Sequence, residues 1–94
     1  MNLRLRNKLR SIFNKHDPIK IYFGKKVNFD EYDPEINRVL IRFNRSRSLQ
    51  DFTDELHIVF QQMFDNKIAG QKSRYKKLAK EVYTLLHKEL KRKA

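Results

Sequence analysis

The chain has 94 residues, of which 39% are hydrophobic, so it can form one domain with a modest core but not two. Lysine and arginine number 22 against 11 aspartates and glutamates, and the resulting net charge of +11 favours a polyanionic partner. No cysteine is present, which excludes disulfides and thiolate zinc sites, and no apolar run is long enough for a membrane span or a secretory signal, so we expect a cytoplasmic protein.

Residues 2–15 are predicted to form an amphipathic helix. Its apolar residues recur at the spacing of one helical face and are Leu5, Leu9, Ile12 and Phe13. Asp17 and Pro18 end the helix, because the residue before a proline disfavours the helical backbone. We expect this basic helix to cover the core with incidental phosphate contacts, and binding to a membrane ranks last because its apolar face is short.

The next two segments change to a period of two residues, which is typical of half-buried strands. In residues 19–29 the odd positions are mainly apolar, and in residues 36–45 the apolar residues of one face are Val39, Ile41 and Phe43. The acidic residues 30–35 lie between them and favour a turn. We therefore expect an antiparallel hairpin with one buried face and one exposed face.

Two further helices are predicted in the second half of the chain. Ser48 is a suitable N-cap for a helix that ends near residue 65, and Ser73 is predicted to cap a third helix that runs to about residue 91. Their apolar residues follow the helical period of 3.6.

The predicted fold class is therefore α+β, a small single domain in the order α-β-β-α-α, with an antiparallel β-hairpin packed against helices. The domain spans residues 1–94, with ends at 1–2 and 91–94 that we expect to fray. A lone hairpin is marginally stable, so a homodimer formed through the hairpin or the helices stays open beside a monomer. We assign the sequence to no known family.

The start of the predicted third helix is the first candidate binding surface. Its cations are Lys72, Arg74, Lys76, Lys77 and Lys80. Positive charge at a helix N-terminus opposes the helix dipole by roughly 0.3–1 kcal/mol per residue. We interpret a sequence that keeps such charges as one that places them for a phosphate backbone, with a merely solvated face as the alternative.

The exposed face of the predicted hairpin is the second candidate surface. It should carry Lys20, Tyr22, Arg38 and Arg42, and Arg45 and Arg47 continue the positive track. A two-stranded ribbon fits the major groove of DNA, where arginine reads guanine, so Arg38 and Arg42 are predicted to contact bases. Alternatively, Tyr22 would stack on an unpaired base, or the face is simply solvated.

No catalytic motif is complete. Residues 54–58 lie in the setting of a zinc-protease His-Glu-x-x-His helix, but Asp54 and Ile58 occupy the ligand positions and isoleucine cannot bind zinc. His57 stands at a position that carries no ligand in that motif. We expect no catalytic residue, no metal and no cofactor.

The sequence thus predicts a non-enzymatic nucleic-acid-binding protein, with DNA slightly favoured over RNA. The basic third helix would contact phosphates, and the arginine face of the hairpin would contact bases. Two alternatives remain. One is a protein-interaction module, either an inhibitor or an adaptor of an acidic or nucleic-acid-handling partner. The other is a degenerate zincin-like domain without metal.

Overall fold

The computed structural model describes residues 2–91, and within that range the secondary structure is helical, with no strand. The α-helices are α1 (Leu3–His16), α2 (Lys25–Asn28), α3 (Asp33–Phe43), α4 (Leu49–Met63), α5 (Asn66–Ala69) and α6 (Lys76–Leu86). A 3-10 turn, Lys72–Tyr75, leads into α6, and a π-helical turn, His87–Lys91, follows it. Residues 1 and 92–94, where we expected frayed ends, lie outside the described part of the chain.

The predicted hairpin is wrong, and with it the α+β class. The segment predicted as the second strand forms most of α3 instead. The apolar residues of this segment fit both periods, because Ile36, Val39 and Phe43 also fall on one helical face, and all three are buried. Ile41, which a strand would place beside Val39 in the core, is 56% exposed.

Two local signals favour a helix at the start of α3. Pro34 lies in its first turn, where the missing N–H of proline leaves no hydrogen bond unmade. Asp33 and Glu35 are acidic residues of the same turn and suit the positive end of the helix dipole. The second half of the acidic loop that we expected to turn the hairpin therefore belongs to the first turn of a helix, and residues 30–32 form a turn before it.

The segment predicted as the first strand is irregular because side chains, rather than a neighbouring strand, bind its backbone. Asp17 ends α1 in the left-handed region, with φ of 43°. Its Oδ1 accepts hydrogen bonds from the N–H groups of Ile21 at 2.9 Å and Tyr22 at 3.1 Å, and from the hydroxyl of Tyr32 at 2.6 Å. This one carboxylate therefore holds the end of α1, the following segment and the start of α3 together.

Two asparagines complete the frame of this segment. The amide of Asn28 donates to the carbonyl of Ile21 at 2.6 Å and accepts from the N–H of Phe23 at 2.8 Å. Asn14, on α1, donates to the carbonyl of Phe29 at 2.8 Å. With these backbone groups satisfied by side chains, the segment needs no strand partner.

The core lies between α1, α3, α4 and α6 and is rich in aromatic rings. Tyr32 lies between Phe13 and Phe60, with centroid distances of 6.0 and 6.1 Å. Phe43 meets Phe52 edge to face at 5.7 Å. All five of these rings are buried. Tilted and edge-to-face pairs of this kind add to the stabilisation from apolar burial.

The first two predicted helices lie close to the observed helices α1 and α4. The extents of α1 and α4 are confirmed within a few residues, and Ser48 caps α4 by accepting a hydrogen bond from the N–H of Asp51 at 3.1 Å. The proposed cap of the third helix is wrong, because Ser73 lies inside the 3-10 turn and α6 begins at Lys76.

The cations of α1 are mostly paired with acidic residues of the same protein. The pairs are Arg6 and Arg10 with Asp33, Lys8 with Glu89, and Lys15 with Glu81, which also lies within hydrogen-bond distance of His16. The bidentate contact from Arg10 holds the pKa of the Asp33 carboxyl below its usual value. Since Leu5, Leu9 and Phe13 are buried, α1 acts mainly as a packing element.

The substitution Tyr32→Phe should lower the free energy of unfolding by about 1.5–3 kcal/mol, because it removes a half-buried hydrogen bond to a carboxylate. Urea denaturation would measure the change. Tyr22→Phe is the matched control, since the Tyr22 hydroxyl makes no hydrogen bond to residues 2–91, and it should stay within about 0.5 kcal/mol of the parent. Equal stabilities for the two variants would contradict the role given to the Asp17 carboxylate.

Glu35→Gln should stabilise the protein near pH 7. Burial is the main cause that raises the pKa of this carboxyl above its ordinary value of 4.5. Ionising Glu35 therefore reduces stability as the pH rises from the unfolded pKa through the folded one, and a neutral glutamine avoids that loss. The gain should disappear below about pH 4, where the carboxyl is protonated in both states.

The measurement is urea denaturation at both pH values, with the exposed Glu31→Gln as control. A loss of stability for Glu35→Gln at neutral pH would mean that the charge at the start of α3 outweighs the penalty of its burial.

Candidate functional site

A groove of about 500 Å³ lies between the first turns of α4 and the start of α6. We call it the lysine groove. It is lined by Leu49, Gln50, Thr53 and Asp54 on one side and by Lys72, Lys76 and Lys80 on the other. Its volume is in the range of ordinary ligand pockets, but its charged rim is open to solvent.

The three lysines share one side because they recur every four residues. Lys76 and Lys80 lie one turn apart on α6, about 6 Å along the helix axis. Lys72 comes from the 3-10 turn that precedes α6 and continues the same line. The opposite wall is the N-terminal part of α4, whose dipole adds positive potential there.

Charge in the lysine groove is only partly neutralised. Lys72 pairs with Asp54, with Nζ and Oδ1 2.8 Å apart. Lys76 and Lys80 have no ion pair with any residue from 2 to 91. The groove therefore presents two free ammonium groups beside one that is already engaged.

The acidic residue nearest these lysines in sequence points elsewhere. Glu81 follows Lys80 but pairs with His16 and Lys15 of α1. Hydrogen bonds from His16 and Lys15 lower the pKa of Glu81, so it is a carboxylate at neutral pH and belongs to the α1 side. The acidic and basic sides of α6 are thus separated.

A second, smaller groove of about 140 Å³ lies on α3 and is lined by Arg38, Ile41, Arg42 and Arg45. We call it the arginine groove. Arg42 pairs with Glu55 and donates to the side chain of Gln62 at 3.0 Å, both on α4. Arg38 and Arg45 are exposed and form no ion pair within the described part of the chain. One of the two arginines predicted to read bases is therefore committed to a structural contact.

The predicted grouping on a hairpin face is wrong. Arg38 and Arg42 lie one turn apart on α3, whereas Lys20 and Tyr22 belong to the segment after α1 and line neither groove. Tyr22 is half-buried against the core, which leaves less of its ring free to stack on a base. Arg47 is exposed, and its backbone N–H donates to the Asp51 carboxylate at 3.3 Å. This hydrogen bond contributes to the structure at the start of α4.

The structure brings together some of the cations that were predicted at the start of the third helix. Lys72, Lys76 and Lys80 line one groove, and Lys77 is exposed on α6 outside that lining. Because α6 begins at Lys76, only Lys76 and Lys77 of the predicted set lie in its first turn. The argument from the helix dipole applies to these two lysines and not to Lys72 or Arg74.

Arg74 has a structural role. Its Nη1 lies 3.0 Å from the carbonyl oxygen of Pro18 and 3.1 Å from those of Ile68 and Ala69. Gly70 leaves room for this guanidinium, since a Cβ at that position would come within 2.5 Å of Cζ. Arg74 thereby joins the segment after α1 to the turn before α6.

The degenerate zinc-protease segment also has structural roles. Asp54 pairs with Lys72, and His57 Nε2 donates to the carbonyl of Gly70 at 2.8 Å. The ring of His57 packs on Tyr75 at 5.3 Å. Among residues 2–91, no three histidine, aspartate or glutamate side chains come together as a metal site would require.

Sequence reasoning missed the wall of the lysine groove that α4 contributes. The sequence did not predict that Gln50, Thr53 and Asp54 lie beside the lysines, because this proximity depends on how α4 packs against α6. It also missed Phe23, which the strand pattern assigned to the core and which is 75% exposed.

No protein-family model matches the sequence, and no curated protein or solved structure matches the chain significantly. Within the described part of the chain, no helix combines the length and apolar character needed to cross a membrane.

Arg74→Ala should lower the free energy of unfolding by about 1–3 kcal/mol, because three carbonyl groups lose a charged hydrogen-bond donor. Lys76→Ala removes the same charge two residues later from an exposed position and should change stability by no more than about 0.5 kcal/mol. Thermal unfolding of both variants tests this. If Arg74→Ala were as stable as Lys76→Ala, Arg74 would again be available as a phosphate contact.

Proposed function

We propose that the protein is a non-enzymatic nucleic-acid-binding protein that contacts the phosphate backbone through the lysine groove. The observation that carries the proposal is the line of Lys72, Lys76 and Lys80 along one side of a groove. Phosphates in a nucleic acid are repeated along a line, and regularly spaced ammonium groups are suited to follow them.

The separation of charge around α6 supports the same proposal. Glu81 is turned towards α1, where it meets Lys15 and His16, so it does not offset the lysines. Surfaces that bind nucleic acids combine such a cationic stripe with an otherwise folded, partly neutralised protein.

The part of the proposal that concerned base contacts changes. A hairpin ribbon was the reason for placing Arg38 and Arg42 in the major groove and for favouring DNA, and the described chain has no hairpin. The proposal is therefore restricted to phosphate contacts, and it covers DNA and RNA alike.

Replacing Lys76 and Lys80 together by glutamate should weaken binding to every nucleic acid tested. With three phosphates contacted, the logarithm of the affinity of the parent should fall with the logarithm of the salt concentration with a slope of about −2 to −3. The variant should lose about two units of that slope. Fluorescence anisotropy with labelled duplex DNA, single-stranded DNA and RNA, each over a salt series, measures both quantities.

The matched control is Lys67→Glu with Lys88→Glu. These two lysines are exposed, lie outside the lysine groove and have no ion pair among residues 2–91, so the net charge changes equally. Equal weakening by both double variants would assign binding to bulk charge instead of the groove. If the parent bound no nucleic acid even at low salt, the proposal would fail and a protein-interaction module would replace it.

A further inference from the structure

The segment between α1 and α3 carries an exposed aromatic ring. Phe23 is 75% exposed and Val27 is 71% exposed, the two highest values among the large hydrophobic residues of the described chain. Lys20, Lys25 and Lys26 are exposed around them. We call these five residues the aromatic tip.

The backbone that carries Phe23 is fixed on both sides. Its own N–H donates to Asn28 Oδ1 at 2.8 Å, and the preceding N–H of Tyr22 donates to Asp17 Oδ1 at 3.1 Å. Gly24, with φ of 128°, then turns the chain into α2. The ring is thus exposed on an ordered backbone. A ligand that binds the ring would therefore cause little further loss of backbone freedom.

The lysines that flank Phe23 in sequence are unpaired. Lys20, Lys25 and Lys26 form no ion pair within residues 2–91, and the Lys25 ammonium lies 5.7 Å from the ring centroid of Phe29. An exposed ring beside free cations is the combination that single-strand-binding surfaces use, in which the ring stacks on a base and the cations meet the adjacent phosphates.

The aromatic tip is connected to the element that begins the lysine groove. Arg74, in the same 3-10 turn as Lys72, holds the carbonyl of Pro18 at 3.0 Å, and Pro18 lies two residues before Lys20. The two cationic segments are therefore fastened to each other. The turn that contributes Lys72 to the lysine groove is therefore joined to the segment that carries the aromatic tip.

We infer that Phe23 is a stacking platform for an unpaired base, so that the ligand of this protein is single-stranded nucleic acid. The inference rests on the proposed function and adds the class of ligand. A base within a duplex has both faces covered by its neighbours, whereas an unpaired base offers a face to an aromatic side chain. An anionic lipid surface is the competing ligand, but one ring and one valine form a much smaller apolar face than an interfacial helix provides.

Binding of labelled oligothymidylate and of a duplex of the same length tests the inference. Phe23→Ala should weaken binding of the single strand roughly 5- to 150-fold, the effect expected for loss of one stacked base, and should leave the duplex unchanged. Phe23→Leu keeps an apolar side chain without a ring and should lose nearly as much. Leu3→Ala removes another exposed apolar side chain, at 65% exposure, and should bind like the parent.

A second readout comes from tryptophan fluorescence, since the chain contains no tryptophan. Phe23→Trp should bind oligothymidylate as the parent does, and the base stacked on its indole should quench the emission. Leu3→Trp should show no quenching. Both positions are exposed, so the comparison does not depend on a change in folding.

Several results would overturn the inference. If the parent bound oligothymidylate and Phe23→Ala or Phe23→Leu bound it equally well, stacking would be wrong while the proposed function survived. A Phe23-dependent attachment to vesicles of phosphatidylserine and phosphatidylcholine, without any effect on oligothymidylate, would assign the tip to a membrane surface. If the parent bound neither single strands nor duplexes at low salt, the proposed function itself would fail.

Discussion

The carboxylate of Asp17 is the contact on which the arrangement of the first half of the chain depends. Its left-handed backbone ends α1, and its Oδ1 then orders the next five residues and the hydroxyl of Tyr32. Tyr32 immediately precedes α3 and lies between Phe13 and Phe60 in the core. One acceptor thus relates α1, the irregular segment and α3, and it does so with a group whose burial is compensated by three donors.

The distribution of charge follows from the same packing. Acidic side chains mostly meet internal partners, as Asp33 does with Arg10 and Glu81 with Lys15. Cations that lack such partners include those on α6, on the exposed face of α3 and in the aromatic tip, together with Lys67 and Lys88. The net charge of the sequence is therefore divided among separate surfaces, and Arg74 joins the turn that carries Lys72 to the segment that carries the aromatic tip.

Helices with long periodic patterns and polar caps could be predicted from the sequence, and α1 and α4 are the examples. The strands could not, because Ile36, Val39, Leu40 and Phe43 satisfy a helical period within a run that also alternates. Side-chain hydrogen bonds of Asn14, Asp17 and Asn28 take the place of strand pairing for residues 19–29, and a hydrophobic period does not reveal such bonds. For the candidate site, the spacing of the lysines was visible, but the groove wall from α4 and the exposure of Phe23 are properties of the packing.

If the lysine groove binds phosphates as proposed, the Asp54 carboxylate that pairs with Lys72 is an intramolecular competitor for that ligand. An isolated phosphate at that end would have to displace a carboxylate held at 2.8 Å by the same chain, whose local concentration is far above that of any solute. In a polymer that is already bound at Lys76 and Lys80, the next phosphate is also tethered near Lys72. It therefore competes with the Asp54 carboxylate at a high local concentration of its own. Under the proposed function, the pair would therefore favour long strands over free phosphate, and only modestly, because both side chains are partly exposed to solvent.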